Sequence, residues 1–347
     1  MDLRIYDENY VLHGIVDTAS SIIWADRFRQ NGDFEIYIAA APETLALLQL
    51  DRWVERPGSE MVGIIEKVQL ETDEETGDYL IVTGRCLRSI LARRVIWEQT
   101  QLSDTVENGM RQLITDAFIA PTLDARKYDR LVLAEPHGFT DRVDVQYTGA
   151  VVQTAVEELC AAYDYGYRAK VNPDKQVELD FYKGTDRTAG QDVNPRVIFS
   201  EEFDNLTGSA YFIDTTAHKN VALVAGEGEG TARRRAVVGE STAPVGLHRR
   251  ELFVDARDVS SNDGEISEDE YLAQLSARGD TTLAGACVVE SMEGSVDHTT
   301  QYIYGEDYFL GDRVTVINKY GIQTDVQVLE VVEVWDENGY TCTPTFG

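Results

Sequence analysis

Apolar and polar side chains alternate over much of the N-terminal quarter of the chain, a period of two that is typical of strands with one buried face. The clearest alternation is Phe34, Ile36 and Ile38. Two longer runs, Met61–Leu70 and Tyr79–Leu87, flank the polar segment 72–78 and predict an antiparallel pair. A short helix is predicted over Pro42–Leu48, because proline is favoured in a first helical turn. Residues 1–95 are therefore predicted to form a small barrel or sandwich with one helix.

The pattern then changes to the helical period. Asp104 and Glu107 have the spacing of a capping box. The apolar positions of this first helical stripe are Val106, Met110, Leu113, Ile114 and Ala117. A second stripe consists of Val152, Ala155, Val156, Leu159, Cys160 and Tyr163. A hairpin of Tyr167–Val171 and Val177–Phe181 follows, so that residues 96–190 are predicted to form an α+β domain.

Strand patterns return in the last part of the chain, residues 191–347. They begin with Arg196–Ser200, Ala210–Thr215 and Asn220–Ala225. Ser267 and Glu270 then form a capping box that opens a short helix, predicted to end at Gly279. We interpret the segment at about 260–300 as a helical insertion into a second β-region.

The C-terminal segment predicts a long hairpin that completes this region. Val314 and Val316 alternate with polar residues, and a long strand follows. The apolar positions assigned to one face of that strand are Val326, Val328, Val332 and Val334. Glu330 interrupts the face, which predicts a β-bulge there. Asn338 and Gly339 predict the hairpin turn, because both residues tolerate positive φ.

The composition is globular but strongly acidic. At 347 residues the chain is long enough for about two to three domains. Lys and Arg total 31 against 61 Asp and Glu, a formal net charge of -30. Nonspecific affinity for nucleic acid comes from neutralising phosphates, so this chain would repel DNA. Two interpretations of the acidity stay open. It keeps an exposed protein soluble, or it lines a channel through which DNA passes without being bound.

Candidate chemistry is sparse. The four cysteines, Cys86, Cys160, Cys287 and Cys342, are far apart and are interpreted as ordinary buried thiols. The histidines are scattered: His13, His137, His218, His248 and His298. Residues 262–265 resemble a calcium loop, but the ligand spacing fails. We therefore predict no catalytic residue, no metal site and no cofactor.

Two basic features require an interpretation. Arg233, Arg234 and Arg235 form a tri-basic cluster in an acidic chain. An exposed loop is favoured for them, and a contact with an acidic patch on a neighbouring subunit is the alternative. The adhesion-like tripeptide Arg278–Asp280 is discounted, because its glycine lies where the helix is expected to end.

The sequence predicts no targeting signal. Met1–Glu8 lacks a basic region and a long apolar stretch, unlike a signal peptide. No run approaches the roughly 18 apolar residues of a membrane span. We expect a protein that is made in a cytoplasm and does not insert into membranes.

Several motifs resemble the tail-hub proteins of siphoviruses and their relatives in myophage baseplates. These motifs are Ile23–Trp24, Arg27–Phe28, Gly32–Ile36, Gly63–Glu66, Phe203–Leu206, Lys219–Asn220, Glu306–Val316 and Thr345–Gly347. They occur in the family's order and cover nearly the whole chain. The resemblance marks as structural signature residues Trp24, Gly32, Asp33, Phe34, Asn205, Asn220, Asp307, Tyr308, Gly311, Asp312, Phe346 and Gly347.

The resemblance implies a β-dominated α+β fold. Two tail-tube-like β-barrel domains, 1–95 and 191–347, would flank the α+β domain 96–190. It also implies a non-enzymatic hub at the virion tail tip or baseplate, assembled in the host bacterial cytoplasm. A homotrimer of such chains would present six barrels to a six-fold tail tube and would leave a channel for DNA, which passes without specific binding. The implied partners are tail-tube or distal-tail proteins, spike, fibre or other baseplate proteins, and the tape-measure protein.

Two other functions are weighed against the hub. A host-glycan-binding adhesin would need exposed aromatic side chains, and Trp53, Trp97 or Tyr304 could serve. A cell-wall-degrading tail enzyme would need a catalytic pair, which cannot be singled out among so many carboxylates. If the hub hypothesis is correct, Trp24 and Phe34 lie in or beside the first barrel core, and Arg233–Arg235 lie away from the channel.

Overall fold

The fold is described from a computed structural model, which covers residues 1–72, 77–262, 265–296 and 301–347. Parts of the predicted polar segment 72–78, of the calcium-like loop 262–265 and of the predicted insertion 260–300 lie outside the described residues, as does His298.

Strands make up most of the regular structure. They are β1 (Leu3–Tyr6), β2 (Leu12–Val16), β3 (Ala19–Arg27), β4 (Asp33–Ala39), β5 (Trp53–Glu55), β6 (Val62–Glu71), β7 (Tyr79–Cys86), β8 (Thr100–Thr105), β9 (Leu131–Leu133), β10 (Arg142–Tyr147), β11 (Gly166–Val171), β12 (Val177–Tyr182), β13 (Ile198–Ser200), β14 (Leu206–Asp214), β15 (Val221–Ala225), β16 (Arg235–Val238), β17 (Glu251–Asp255), β18 (Val289–Val296), β19 (Arg313–Ile317), β20 (Gln323–Asp336) and β21 (Gly339–Phe346). The α-helices are α1 (Pro42–Leu47), α2 (Val106–Ile114), α3 (Val152–Tyr163) and α4 (Glu268–Ala284). The β-dominated α+β class is confirmed.

One large sheet joins both ends of the chain. Its strand order is β14-β18-β21-β20-β3-β4-β7-β6-β5-β1-β2, and β19 and β13 branch from β20. The link is the antiparallel pairing of β3 with β20, which runs from Arg27 opposite Glu330 to Ile22 opposite Trp335. The order over the described residues is a path with ends. Two closed barrels, and the domain limits 1–95, 96–190 and 191–347, therefore remain predictions.

The inserted segment is larger than a single helix. Strands β14 and β18 pair with each other, so the chain between them leaves the main sheet and returns to it. This segment holds a three-stranded sheet, β16-β15-β17, with α4 packed against it. Its core is separate from the others and includes Val224, Val254, Tyr271 and Leu275.

The middle of the chain packs its two helices against two small sheets. Strands β10 and β8 form one sheet, and β11, β12 and β9 form the other. Met110 on α2 and Leu159 on α3 are both fully buried in the core that these elements share. The predicted helices and the predicted hairpin of this region are confirmed.

The predicted bulge in β20 is confirmed, and it has a consequence that the sequence pattern missed. The pairing of β20 with β21 shifts between Val328 and Glu330. An extra residue inverts the alternation, so Val331 and Glu333 face inward beyond the bulge. The assignment of Val332 and Val334 to the face of Val328 is wrong for this reason.

Two helix ends and one turn also differ from the prediction. The N-cap of α2 is Thr105, whose hydroxyl accepts from Asn108 N, and not Asp104. Helix α4 has the predicted capping box at Ser267 but continues past Gly279 to Ala284. In the last hairpin only Gly339 has positive φ, with φ 112°, so the turn is not built from two positive-φ residues.

Candidate functional site

The three regions of the chain meet at one aromatic ring, that of Phe28 just after β3. The ring is fully buried and lies edge-on to Tyr182, with 5.3 Å between ring centroids. A Cβ atom at Gly166, the first residue of β11, would fall 2.0 Å from Phe28 Cε2, and one at Gly311 would fall 2.4 Å from it. Glycine is needed at both positions because the backbone touches the ring.

Gly184 and Gly311, at the same junction, are also in backbone contact. A Cβ atom at Gly184 would lie 1.7 Å from Gly311 O, and Gly311 itself has φ +88°. Two independent constraints therefore act at Gly311, a left-handed backbone and the lack of space.

Asp312 connects the segment after β12 to β19. The side chain is buried, and its Oδ1 accepts from Thr185 N at 2.7 Å. Its Oδ2 accepts from Arg187 Nε at 2.6 Å and from Phe309 N at 3.1 Å. Three donors thus satisfy a carboxylate that would otherwise be costly to bury.

In the Gly32–Asp33 motif of the first β-region, the aspartate is likewise paired with an arginine. The Arg27 guanidinium pairs with Asp33 and with Glu330, and so connects β3, β4 and β20. Burial alone would lower the pKa of Arg27, but the two carboxylates raise it. In both β-regions an arginine therefore holds the aspartate that begins or precedes a strand. Gly32 is tightly enclosed, since a Cβ atom there would lie 2.6 Å from Ala25 O.

Trp24 and Phe34 lie in the core of the first β-region. Both are buried, and their ring centroids are 5.5 Å apart. Gly63 approaches the Phe34 ring so closely that a Cβ atom would lie 2.3 Å from Cε1. The prediction that both side chains are core residues is confirmed.

The C-terminal signature residues pack on Phe199 of β13. Tyr308 meets the Phe199 ring edge-on at 5.3 Å between centroids, and Phe346 lies 5.5 Å from it. The backbone of Gly347 exchanges two hydrogen bonds with Gln327, at 2.9 and 2.8 Å. Asp307 accepts a hydrogen bond from Ile303 N at 2.8 Å. These residues close the core of the second β-region.

The side-chain amides of the two signature asparagines, Asn205 and Asn220, form hydrogen bonds with backbone groups of neighbouring segments. Asn205 is fully buried, and its Oδ1 accepts from Ser200 N at 2.7 Å while its Nδ2 donates to Ile198 O at 2.9 Å. Its amide therefore pairs with β13 as a neighbouring strand would. Asn220 does the same for a loop, accepting from Arg250 N and donating to His248 O, both at 2.8 Å.

The tri-basic cluster is used largely within its own chain. Arg233 pairs with Asp255, and Arg234 pairs with Glu227 and lies over the Tyr271 ring at 3.8 Å. Arg235 is exposed and donates to Gly230 O at 3.2 Å. The alternative to an exposed loop, a contact with an acidic patch on a neighbouring subunit, remains a proposal.

A cleft of about 420 Å³ lies at the junction of the three regions. Three ion pairs line it, Arg56 with Glu333, Arg88 with Asp26 and Arg168 with Glu60. Burial raises the pKa of Glu333, although Arg56 opposes this shift. Trp24 Nε1 is buried there without a hydrogen-bond partner. Each carboxylate of these pairs faces an arginine, an arrangement that fixes neighbouring segments.

No grouping of potential metal ligands is found among the residues that the structure describes. His13 pairs with Asp7, and His137 pairs with Asp180. Cys86, Cys160 and Cys342 are buried as predicted, but Cys287 is exposed, so its interpretation as a buried thiol is wrong. Within the same described ranges, no helix is long and apolar enough to cross a membrane.

The aromatic residues considered for glycan binding are not equally accessible. Trp53 is buried, so its assignment as an exposed aromatic is wrong, and Tyr304 is partly buried. Trp97 is 58% exposed, and the Arg126 guanidinium lies 4.4 Å from its ring centroid. Arg93, Arg94 and Arg126 share a shallow cleft with it.

Sequence reasoning missed the Phe28 junction and the role of Arg88. Arg88 is buried and donates to Arg27 O at 2.6 Å and to Tyr167 O at 2.7 Å. It thereby ties β3 to the middle region. The only sequence signal was an arginine beside Leu87 in a mainly apolar segment, which does not reveal its partners.

Comparisons with solved structures place the fold among phage tail proteins. A tail protein from Neisseria meningitidis MC58 matches with TM-score 0.60 and 16% identity, over 99% of this chain and 95% of that chain. The 43 kDa tail protein of prophage MuSo2 from Shewanella oneidensis matches with TM-score 0.59 and 12% identity, over 100% and 98% of the two chains. Prophage tail protein gp18 from Listeria monocytogenes EGD-e matches with TM-score 0.52 and 14% identity, over 99% and 94%. At these identities the likeness shows the fold.

No curated protein matches the chain in sequence. A family model does, over residues 2–347, and it describes siphovirus ReqiPepy6 Gp37-like proteins. The resemblance to siphovirus tail proteins is thereby confirmed, and the chain belongs to the siphovirus ReqiPepy6 Gp37-like family of tail proteins.

Proposed function

We propose that this tail protein is a structural hub of a tail tip or baseplate. Three copies form a ring that adapts the six-fold tail tube to a three-fold distal tip and leaves a channel for DNA. The chain does this without catalysis. Its partners are the tail-tube or distal-tail ring above it, spike, fibre or other baseplate proteins below it, and the tape-measure protein.

The observation that carries the proposal is the union of two β-regions in one sheet. Strand β3 of the first region pairs with β20 of the second over six residue pairs. A Gly-Asp pair begins or precedes a strand in both regions, at Gly32–Asp33 and at Gly311–Asp312. A chain with two similar units, held rigidly side by side, can present six units as a trimer.

The negative net charge of the chain supports the proposal of a channel through which DNA passes. A wall that carries lysines and arginines would bind phosphates and slow the passage of DNA. The excess of carboxylates, 61 against 31 basic residues, allows a lumen that is neutral or negative. Two arginines of the basic cluster, Arg233 and Arg234, already pair with carboxylates of their own chain. We propose that this cluster lies away from the channel.

The oligomeric mass tests the proposal. Native mass spectrometry of the purified chain should show a species of three copies, and light scattering should agree at several concentrations. A chain that stays single at high concentration would contradict the hub.

A second candidate function rests on Trp97. An exposed tryptophan with an arginine stacked on it, beside two further arginines, has the chemistry to hold a sugar ring and an anionic group. A glycan array with the wild type and with Trp97→Ala tests this function. A signal that Trp97→Ala removes would favour the adhesin, and no signal would exclude this role for the site.

A further inference from the structure

In the part of the chain that the structure describes, the main sheet has two unpaired edges, one at each end of its strand order. Among the described residues, β2 pairs with β1 alone, and β14 pairs with β18 alone. The outer edge of each strand therefore presents backbone N–H and C=O groups that no strand in the described ranges accepts. Such an edge is a template for a further strand.

A third end of the sheet, at β13, is closed by the chain itself. This strand has three residues, and the side-chain amide of Asn205 bonds to Ser200 N and to Ile198 O on it. No comparable side chain is found on β2 or β14 in the described part of the chain. The fold thus blocks one end and leaves two open.

Both open edges carry few of the charges that usually protect an edge strand. Proteins commonly place lysine, other charged residues or proline on edge strands to prevent pairing. Strand β2, Leu12–Val16, has no lysine, arginine, carboxylate or proline, and its one ionisable residue, His13, pairs with Asp7. Strand β14 has a single charge, at its last residue Asp214. In contrast, the edge strand β11 of the middle region carries Arg168 and Lys170. In a chain with 27% charged residues, two edges with so few charges require an explanation.

Exposed apolar side chains lie on both open edges. On β2 these are Leu12, 51% exposed, and Ile15, 53% exposed. On β14 they are Phe212, 45% exposed, and Ile213, 55% exposed. Single exposed apolar residues are ordinary, but pairs of them on two unprotected edges indicate surfaces that a neighbouring strand covers.

The chain already uses this mode of contact internally. Its two β-regions are joined by the antiparallel pairing of β3 with β20. The same contact repeated between copies would extend one sheet from chain to chain. A second copy is also the partner that always supplies the opposite edge.

We infer that β2 of one copy pairs with β14 of the next copy. Because the two edges differ, the contact is head-to-tail, and such contacts close into a ring when the rotation between copies permits. The closure at three copies rests on the proposed function. The edge assignment itself specifies which strands meet.

Two edge variants and a matched control test the inference. Ile15→Lys and Phe212→Lys each place a charge on one exposed edge position. Leu247→Lys makes the same change at a residue of a 3-10 turn outside the main sheet, which is 97% exposed. Light scattering gives the mass of each, and thermal unfolding shows that each is folded. We expect three copies for the wild type and for Leu247→Lys, and a single chain for both edge variants.

Mixing the two edge variants tests the head-to-tail geometry. Ile15→Lys keeps an intact β14, and Phe212→Lys keeps an intact β2, so an equimolar mixture should form a species of two chains and no larger one. A lack of this species, or self-association of either variant, would overturn the inference. Edge variants that remain trimers would overturn the edge assignment and leave the hub standing. A wild type that stays single would overturn both.

Discussion

The ring of Phe28 lies against the backbone of Gly311, so closely that a Cβ atom on this glycine would fall 2.4 Å from Phe28 Cε2. Phe28 follows β3 of the first β-region, and Gly311 precedes β19 of the second. The contact therefore fixes the position of the two regions relative to each other, together with the β3–β20 pairing. Substitutions at Phe28 or Gly311 should therefore lower the stability of the whole chain rather than of one region.

Gly311→Ala should reduce the free energy of unfolding by about 2–4 kcal/mol, because it combines a left-handed backbone with a steric conflict. The matched control is Gly321→Ala, where φ is +74° and the space around a Cβ atom is open. This control should lose only about 1–2 kcal/mol, from the backbone alone. Chemical denaturation measures both. Equal losses would show that the Phe28 contact contributes nothing.

Asp312→Asn should destabilise the chain by about 3 kcal/mol, since it leaves the largely buried guanidinium of Arg187 without a counter-charge. The control is Asp192→Asn, which breaks the ion pair with Arg196 at an exposed site. Such a pair contributes about 0–1 kcal/mol. If both substitutions shift the denaturation midpoint alike, the buried pair does not hold β19 to the segment after β12.

Trp24→Ala should cost about 3–5 kcal/mol, because a buried indole is removed from the first core. Trp24→Phe should cost less than this, since Trp24 Nε1 has no hydrogen-bond partner to lose. Trp97→Ala, at an exposed position, serves as the control. Thermal unfolding distinguishes the three variants. A wild-type unfolding temperature for Trp24→Ala would place Trp24 outside the core.

Glu227→Gln should show a pH-dependent loss of stability. Burial alone would raise the pKa of Glu227, but hydrogen bonds from Ser261 and the charge of Arg234 lower it below 4.5. A carboxylate with a lowered folded-state pKa stabilises the fold above its unfolded pKa, and this contribution disappears as pH falls through the folded value. The variant should lose about 1 kcal/mol at neutral pH. Wild type and variant should converge in acid.

The control for this experiment is Glu229→Gln, at an exposed neighbouring residue. Denaturation curves at neutral pH and at several acidic pH values give the comparison. A stability difference between wild type and Glu227→Gln that is constant over the whole pH range would contradict the assigned pKa shift.

The sequence pattern predicted elements better than their relative placement. The hairpin β6–β7 and the helices α2 and α3 follow from local periodicity, and each is found. The face of β20 beyond Glu330 was assigned wrongly, because a bulge inverts the alternation and its exact effect depends on the partner strand. The stop at Gly279 was also wrong. That glycine brings α4 close to the sheet, since a Cβ atom there would lie 2.5 Å from Val224 Cγ2.

The candidate site could be predicted only in part. The signature motifs identified Gly311, Asp312 and Asn205, but their physical roles depend on partners that are distant in the sequence. Arg187 lies 125 positions from Asp312, for example, and no local pattern connects them. Glu107 at the start of α2 is another residue whose role could not be predicted from its local sequence. Glu107 has the spacing of a capping residue, yet its carboxylate accepts hydrogen bonds from the backbone of the loop at 137–139.

Electron cryo-microscopy of the purified, assembled chain tests the central claim most directly. The account predicts a three-fold ring with a central channel, a lumen that is neutral or negative, and Arg233–Arg235 away from that lumen. A single chain or a two-fold particle under the same conditions would contradict the hub. A three-fold ring whose channel is lined by those arginines would contradict its role as a passage for DNA.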